Sequence, residues 1–142
     1  MKILLRNLQQ VRPPRIPALR RLARRLTRLA FPDAPPAGPF DTLSVLLVDN
    51  DTMPGYKAAT FGVRLQTDVI SQAYLPVPGL SGPTAELVIN LQRALEYGQR
   101  RPGGPSAELA LYLAHGIDHL AGHDDATPAD RRSMRRRELR WL

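Results

Sequence analysis

No cysteine occurs in the 142 residues. That excludes disulfides, thiolate zinc sites and cysteine nucleophiles, and it fits a reducing compartment. Lysine is nearly absent too: Lys2 and Lys57 leave 18 of the 20 basic residues as arginine. No apolar run approaches the roughly 18 residues of a membrane span. The opening MKILLRNLQQ has too short an apolar stretch for a secretory signal, and no small-residue cleavage site follows it. The expectation is a cytoplasmic protein with no membrane partner. Histidine is scarce as well. The chain has three, and all of them fall in His115-Gly-Ile-Asp-His119-Leu-Ala-Gly-His123.

The formal charge is +7. Arginine's planar fork suits phosphate, and a basic surface concentrates nucleic acid. A GC-rich coding sequence also enriches arginine, proline and alanine, so charge alone does not assign a partner.

The histidine spacing is that of a metal site. Residues four apart lie on one helix face, one turn above the other. His115 and His119 so placed can grip one divalent ion. Gly122 lets the chain leave the helix through a left-handed turn. The turn brings Asp125 or His123 back toward the same ion. Three protein ligands and an open position is the arrangement of catalytic zinc. The competing reading is a polar helix end with capping acids.

Periodicity predicts the elements. Lys2–Leu8 reads as a strand. A helix begins near Pro17, with Leu19, Leu22, Ala23, Leu26 and Leu29 on one face and Arg20, Arg21, Arg24, Arg25 and Arg28 on the other. That arginine face is either an RNA-facing patch or the solvated side of an amphipathic helix. Thr42–Asp49 is a buried strand, and Thr52–Ala59 a short helix. Gln66–Ala73 and Glu86–Asn90 are further strands. Asn90 caps a helix running to about Arg100, and Pro102-Gly-Gly-Pro105 breaks it. Ser106 is read as the N-cap of the next helix, with Glu108 in its first turn, Leu109, Tyr112, Leu113 and Leu120 inward, and an end at Ala121. Thr127-Pro128-Ala-Asp130 starts a final, arginine-rich helix. With no internal repeat, this is one small α+β domain over residues 1–142, its sheet packed by four or five helices.

The segment His115–Asp125 resembles the HGxLHLxGYDH signature of the YbeY-type endoribonucleases, the bacterial rRNA maturation factors. ELALYLAHG before it, TDVIS (Thr67–Ser71) and ELVINLQRALE (Glu86–Glu96) are similar to segments of that family. The resemblance covers roughly residues 42–142, while the first 40 fit only in strand–helix order. It implies a mixed four-stranded sheet and one bound zinc. It also implies a metal-dependent, single-strand-specific endoribonuclease acting on 16S rRNA 3′ ends and in ribosome quality control. Its partners would be single-stranded RNA, 16S rRNA and the ribosome. The metal ligands implied are His115, His119 and, in place of the family's third histidine, Asp125. His123 stands at the family's tyrosine, Asp118 at a leucine, Gln72 at a phenylalanine and Phe61 at an arginine. Arg64, three residues on from Phe61, is the candidate to reach the same pocket, so the catalytic residues expected are His115, His119 and Arg64.

Three rivals remain at this level. A zinc peptidase needs a glutamate directly after the first histidine, where Gly116 stands. A two-histidine, one-carboxylate iron oxygenase has no further support in the sequence. A non-catalytic RNA- or ribosome-associated factor with a structural metal is favoured by Phe61 and by the altered ligand.

Overall fold

Alternating apolar side chains give the sheet two unequal faces. The computed structural model describes all residues, 1–142. The order is β1 (Lys2–Asn7), α1 (Ile16–Ala30), β2 (Thr42–Val48), α2 (Met53–Phe61), β3 (Val69–Tyr74), β4 (Thr84–Asn90), α3 (Leu91–Gly98), α4 (Gly104–Leu120) and α5 (Pro128–Trp141). The strands lie in the order β1-β2-β4-β3. The first three are parallel, and β3 runs antiparallel along the edge of β4. This is the α+β fold with a mixed four-stranded sheet that the sequence led us to expect, with five helices.

Leu43, Val45 and Leu47 of β2 and Ala85, Leu87 and Ile89 of β4 point to one side. There they pack with Leu19, Ala23 and Leu26 of α1, Leu91 and Ala94 of α3, and Tyr112, Leu113 and Ile117 of α4. Leu46, Val48, Ile70 and Val88 point to the other side, against Met53 and Tyr56 of α2. The two central strands are therefore buried on both faces, which is why they read as nearly unbroken apolar runs. Each such Leu or Ile contributes about 1.5–3 kcal/mol by leaving water.

Several boundaries differ from the sequence reading. Helix α4 starts at Gly104, not after Ser106. Its N-cap is Gly103, without a side-chain cap, because Pro105 already sets helical φ at the start. Glu108 lies outside the first turn. It is buried and accepts two hydrogen bonds from Arg101 Nη1, at 2.7 and 2.9 Å. Leu29 is exposed, and Thr27 takes the inner place by donating to the Ala23 carbonyl at 2.8 Å. Strand β3 begins at Val69. Gln66 instead donates to the Asn50 carbonyl at 3.0 Å and accepts from Asn90 Nδ2 at 3.0 Å. The caps at Asn90 and Thr127 are as expected, each side chain accepting from the backbone N–H three residues on.

Helix α4 reaches the sheet at Gly116. A Cβ there would lie 3.0 Å from both Leu87 Cδ2 and Val69 Cγ1 and 3.3 Å from Ser71 Oγ. Ser71 Oγ donates to the Gly116 carbonyl at 3.1 Å. The glycine sets the height of α4, and hence of His115 and His119, over β3 and β4. Gly116→Val is expected to destabilise the protein by about 3 kcal/mol through overpacking. Thermal unfolding monitored by circular dichroism checks this, and an unchanged Tm contradicts it.

Candidate metal centre

His115 and His119 sit one turn apart on α4, and their Nε2 atoms are 3.1 Å from each other. Asp125 Oδ2 is 3.5 Å from the first and 3.6 Å from the second. The three atoms form a nearly equilateral triangle. An ion bound tetrahedrally with bonds of about 2.0–2.1 Å separates its ligand atoms by about 3.3–3.4 Å. The residues present therefore fit one small divalent ion. All three side chains are part-exposed.

Proton positions agree with this. His119 Nδ1 lies 3.0 Å from the His123 carbonyl oxygen, which can only accept, so Nδ1 carries the hydrogen and Nε2 the lone pair. His115 Nδ1 donates to Glu138 Oε1 at 2.7 Å. Each imidazole is thus oriented through its far nitrogen, as metal-bound histidines are. Burial of the His115 ring disfavours its charged form. The Glu138 hydrogen bond and charge, with Asp68 and Asp125 behind them, outweigh that and raise its pKa above the ordinary 6.5. Two Nε2 lone pairs at this separation need a cation between them, either a proton or a metal ion.

The bend after α4 brings Asp125 to the third corner of the triangle. Gly122, at φ +95°, is left-handed. Its N–H donates to the His119 carbonyl at 2.9 Å, and the His123 N–H donates to the Asp118 carbonyl at 3.3 Å. These two bonds are the Schellman pattern of a helix end. The His123 side chain then turns to Asp118, its Nδ1 lying 2.8 Å from Asp118 Oδ1. Asp118 is fully buried, and the same oxygen accepts from Arg137 Nε at 2.9 Å. So the acid beside His119 orients His123 rather than a ligand, and Asp125 is left to face the two imidazoles. Arg131 Nη1 donates to the Asp125 carbonyl at 3.2 Å.

Arg64 is exposed in the segment between α2 and β3. Its Nη1 lies beside Gly55 of α2, 3.8 Å from where a Cβ would stand, and it bonds none of the three metal-facing residues. Phe61 is 55% exposed, with Lys57 Nζ 4.6 Å from its ring centroid. The sequence reading missed Glu138. The signal was available, since Met134, Glu138 and Trp141 are spaced to share one helix face. A lone acid on the inner face of an arginine-rich helix needs a partner there.

Glu138→Gln keeps an acceptor near His115 Nδ1 but removes the charge that raises the ring's pKa. Metal affinity is expected to fall about 10–100-fold at neutral pH. In the wild type an ion must displace the His115 proton, so affinity falls about tenfold per pH unit below that pKa. In Glu138→Gln the pKa is lower, and the decline starts at lower pH. Calorimetric zinc titrations at several pH values check both. Identical profiles would exclude the Glu138 role.

Comparison with known proteins places the chain. The family model described as Endoribonuclease YbeY matches residues 6–142. An Endoribonuclease YbeY of Anaeromyxobacter sp. (strain Fw109-5) is 37% identical over 86% of this chain and 64% of its own length. One of Rhodopirellula baltica is 43% identical over 51% of this chain and 38% of its own length. The chain spans less than two thirds of these two relatives. A Thermotoga maritima protein of known solution structure has the same fold, with TM-score 0.61, 20% identity and coverage of 98% of this chain and 85% of that one. With the family model matching nearly end to end, the chain belongs to the endoribonuclease YbeY family.

Proposed function

We propose that residues 1–142 form one zinc-dependent, single-strand-specific endoribonuclease domain acting in 16S rRNA 3′-end maturation and ribosome quality control. The observation that carries this reading is the Nε2, Nε2, Oδ2 triangle of His115, His119 and Asp125, with both imidazoles oriented from behind. When bound there, a zinc ion would supply Lewis acidity toward a phosphoryl oxygen and would acidify a bound water. His115 and His119 hold their lone pairs forward because Glu138 and the His123 carbonyl hold their Nδ1 protons. The Asp125 carboxylate places a full negative charge where the family signature has a neutral imidazole. Arg64 we assign to the substrate phosphate, which its exposure leaves it free to meet. No helix is long and apolar enough to cross a membrane, in keeping with ribosomal RNA in the cytoplasm as the substrate.

The peptidase alternative fails on geometry. Position 116 faces Leu87, Val69 and Ser71 of the sheet, so a general base there would point into the core and away from an ion. The non-catalytic alternative rests on Phe61, which brings no charge to the place where the signature has arginine.

Metal-loaded protein is expected to cut a single-stranded RNA, and His115→Ala is expected to lose at least about a hundredfold of that rate. Gel analysis of a labelled oligoribonucleotide decides it. Tight binding with equal, metal-independent background in both proteins supports the non-catalytic reading instead. Asp125→His removes the ligand's negative charge and is expected to raise the cleavage rate. An equal or lower rate, at full zinc occupancy by elemental analysis, counts against that account of Asp125.

A further inference from the structure

We propose that the exposed face of α5 is the track that holds the phosphates of single-stranded RNA beside the metal centre. The proposal rests on the endoribonuclease reading above and adds where the strand lies. Helix α5 carries six arginines and two acids, Asp130 and Glu138. Glu138 is turned inward to His115, and Asp130 sits in the capped first turn. Arg137 is engaged with Asp118. Arg131, Arg132, Arg135, Arg136 and Arg140 remain, all exposed, and the ion pairs of arginine in this protein are Arg101–Glu108 and Arg137–Asp118 only. These five cations span about 13 Å of helix axis. The pairs 131/135, 132/136 and 136/140 are like charges at i,i+4, an arrangement that weakens a helix by about 0.2–0.5 kcal/mol each. A phosphate backbone laid along this face reverses the sign of that interaction.

What singles out α5 is its attachment to the site. Its first turn bonds the Asp125 carbonyl through Arg131, and its last turns hold His115 through Glu138. An anionic strand on this helix is therefore in fixed register with the three metal-facing atoms. Helix α1 also exposes Arg20, Arg21, Arg25 and Arg28. It packs beside α4 and over β1, the edge strand opposite β3, while α4 rests on β3 at Gly116, next to His115. The two patches have similar charge and different positions, which makes the proposal testable.

The test compares Arg132→Gln/Arg135→Gln/Arg136→Gln with the charge-matched Arg20→Gln/Arg21→Gln/Arg25→Gln. All six positions are exposed, and none touches the metal-facing atoms. Binding of a fluorescent single-stranded oligoribonucleotide is measured against salt, with chelator present so that the strand stays whole. Each phosphate contact to a single strand contributes about 0.7 to the slope of log affinity against log salt. The α5 variant is expected to flatten the slope by about 2 and to weaken binding about tenfold or more at about 50 mM salt. The single Arg136→Gln is expected to flatten it by about 0.7. The α1 variant is expected to change the slope far less. Equal losses in both triple variants, or none in the α5 variant, overturn the proposal. So does loss of binding to phosphatidylglycerol vesicles with RNA binding intact, which makes the face a lipid site. Wild-type protein that cuts RNA while the α5 variant binds normally sinks this inference alone. Wild-type protein that binds through α5 and does not cut sinks the catalytic reading alone, and wild-type protein that neither binds nor cuts sinks both.

Discussion

Two imidazole nitrogens with lone pairs forward, 3.1 Å apart on one helix, repel unless a cation lies between them. The rest of the structure around α4 is arranged to keep that approach. Glu138 and the His123 carbonyl fix both rings from behind, and Gly116 sets the helix close on β3 and β4. Asp125 closes the third side and brings the negative charge that such a cation needs. Without the rings held in this way, the same three residues would be an ordinary polar helix end.

The buried pair of Asp118 and Arg137 is best understood through this constraint. A buried ion pair is seldom more stable than well-packed apolar residues. Here Asp118 Oδ2 has no hydrogen-bond partner, an omission that costs about 1–3 kcal/mol. What the pair does is geometric. It ties α4 to α5 and holds the His123 side chain on Asp118, while the His123 carbonyl stays on His119. Asp118 and His123 both depart from the family signature, and the structure shows them in contact. The two departures thus act as one unit.

Legibility from sequence followed the range of the interactions. Strands β2 and β4 were readable because burial on both faces leaves an apolar run, and the caps at Asn90 and Thr127 because they act within three residues. The start of α4 was misread because Ser106 is a good cap by type, yet Pro105 sets the helix before it. Leu29 fitted the stripe of α1 by spacing, but it lies in the last turn, where Thr27 faces inward instead. At the metal centre, the i,i+4 histidines and the Gly122 bend were local and therefore visible. The inward placing of Glu138 is legible from its spacing with Met134 and Trp141, but its partner is not, because His115 lies 23 residues away.

The sequence by itself determined the helix that carries two imidazoles on one face, the glycine turn after it and the excess of arginine over acid. Each of these is set by backbone geometry or composition within a few residues. Only the tertiary structure decided that Asp125 rather than His123 faces those imidazoles and that Asp118 is buried instead of solvated. It also decided that α5 lies against α4, with Glu138 on the His115 ring. Those outcomes depend on which charges lose their water when α4 and α5 pack together. No spacing along one segment records that.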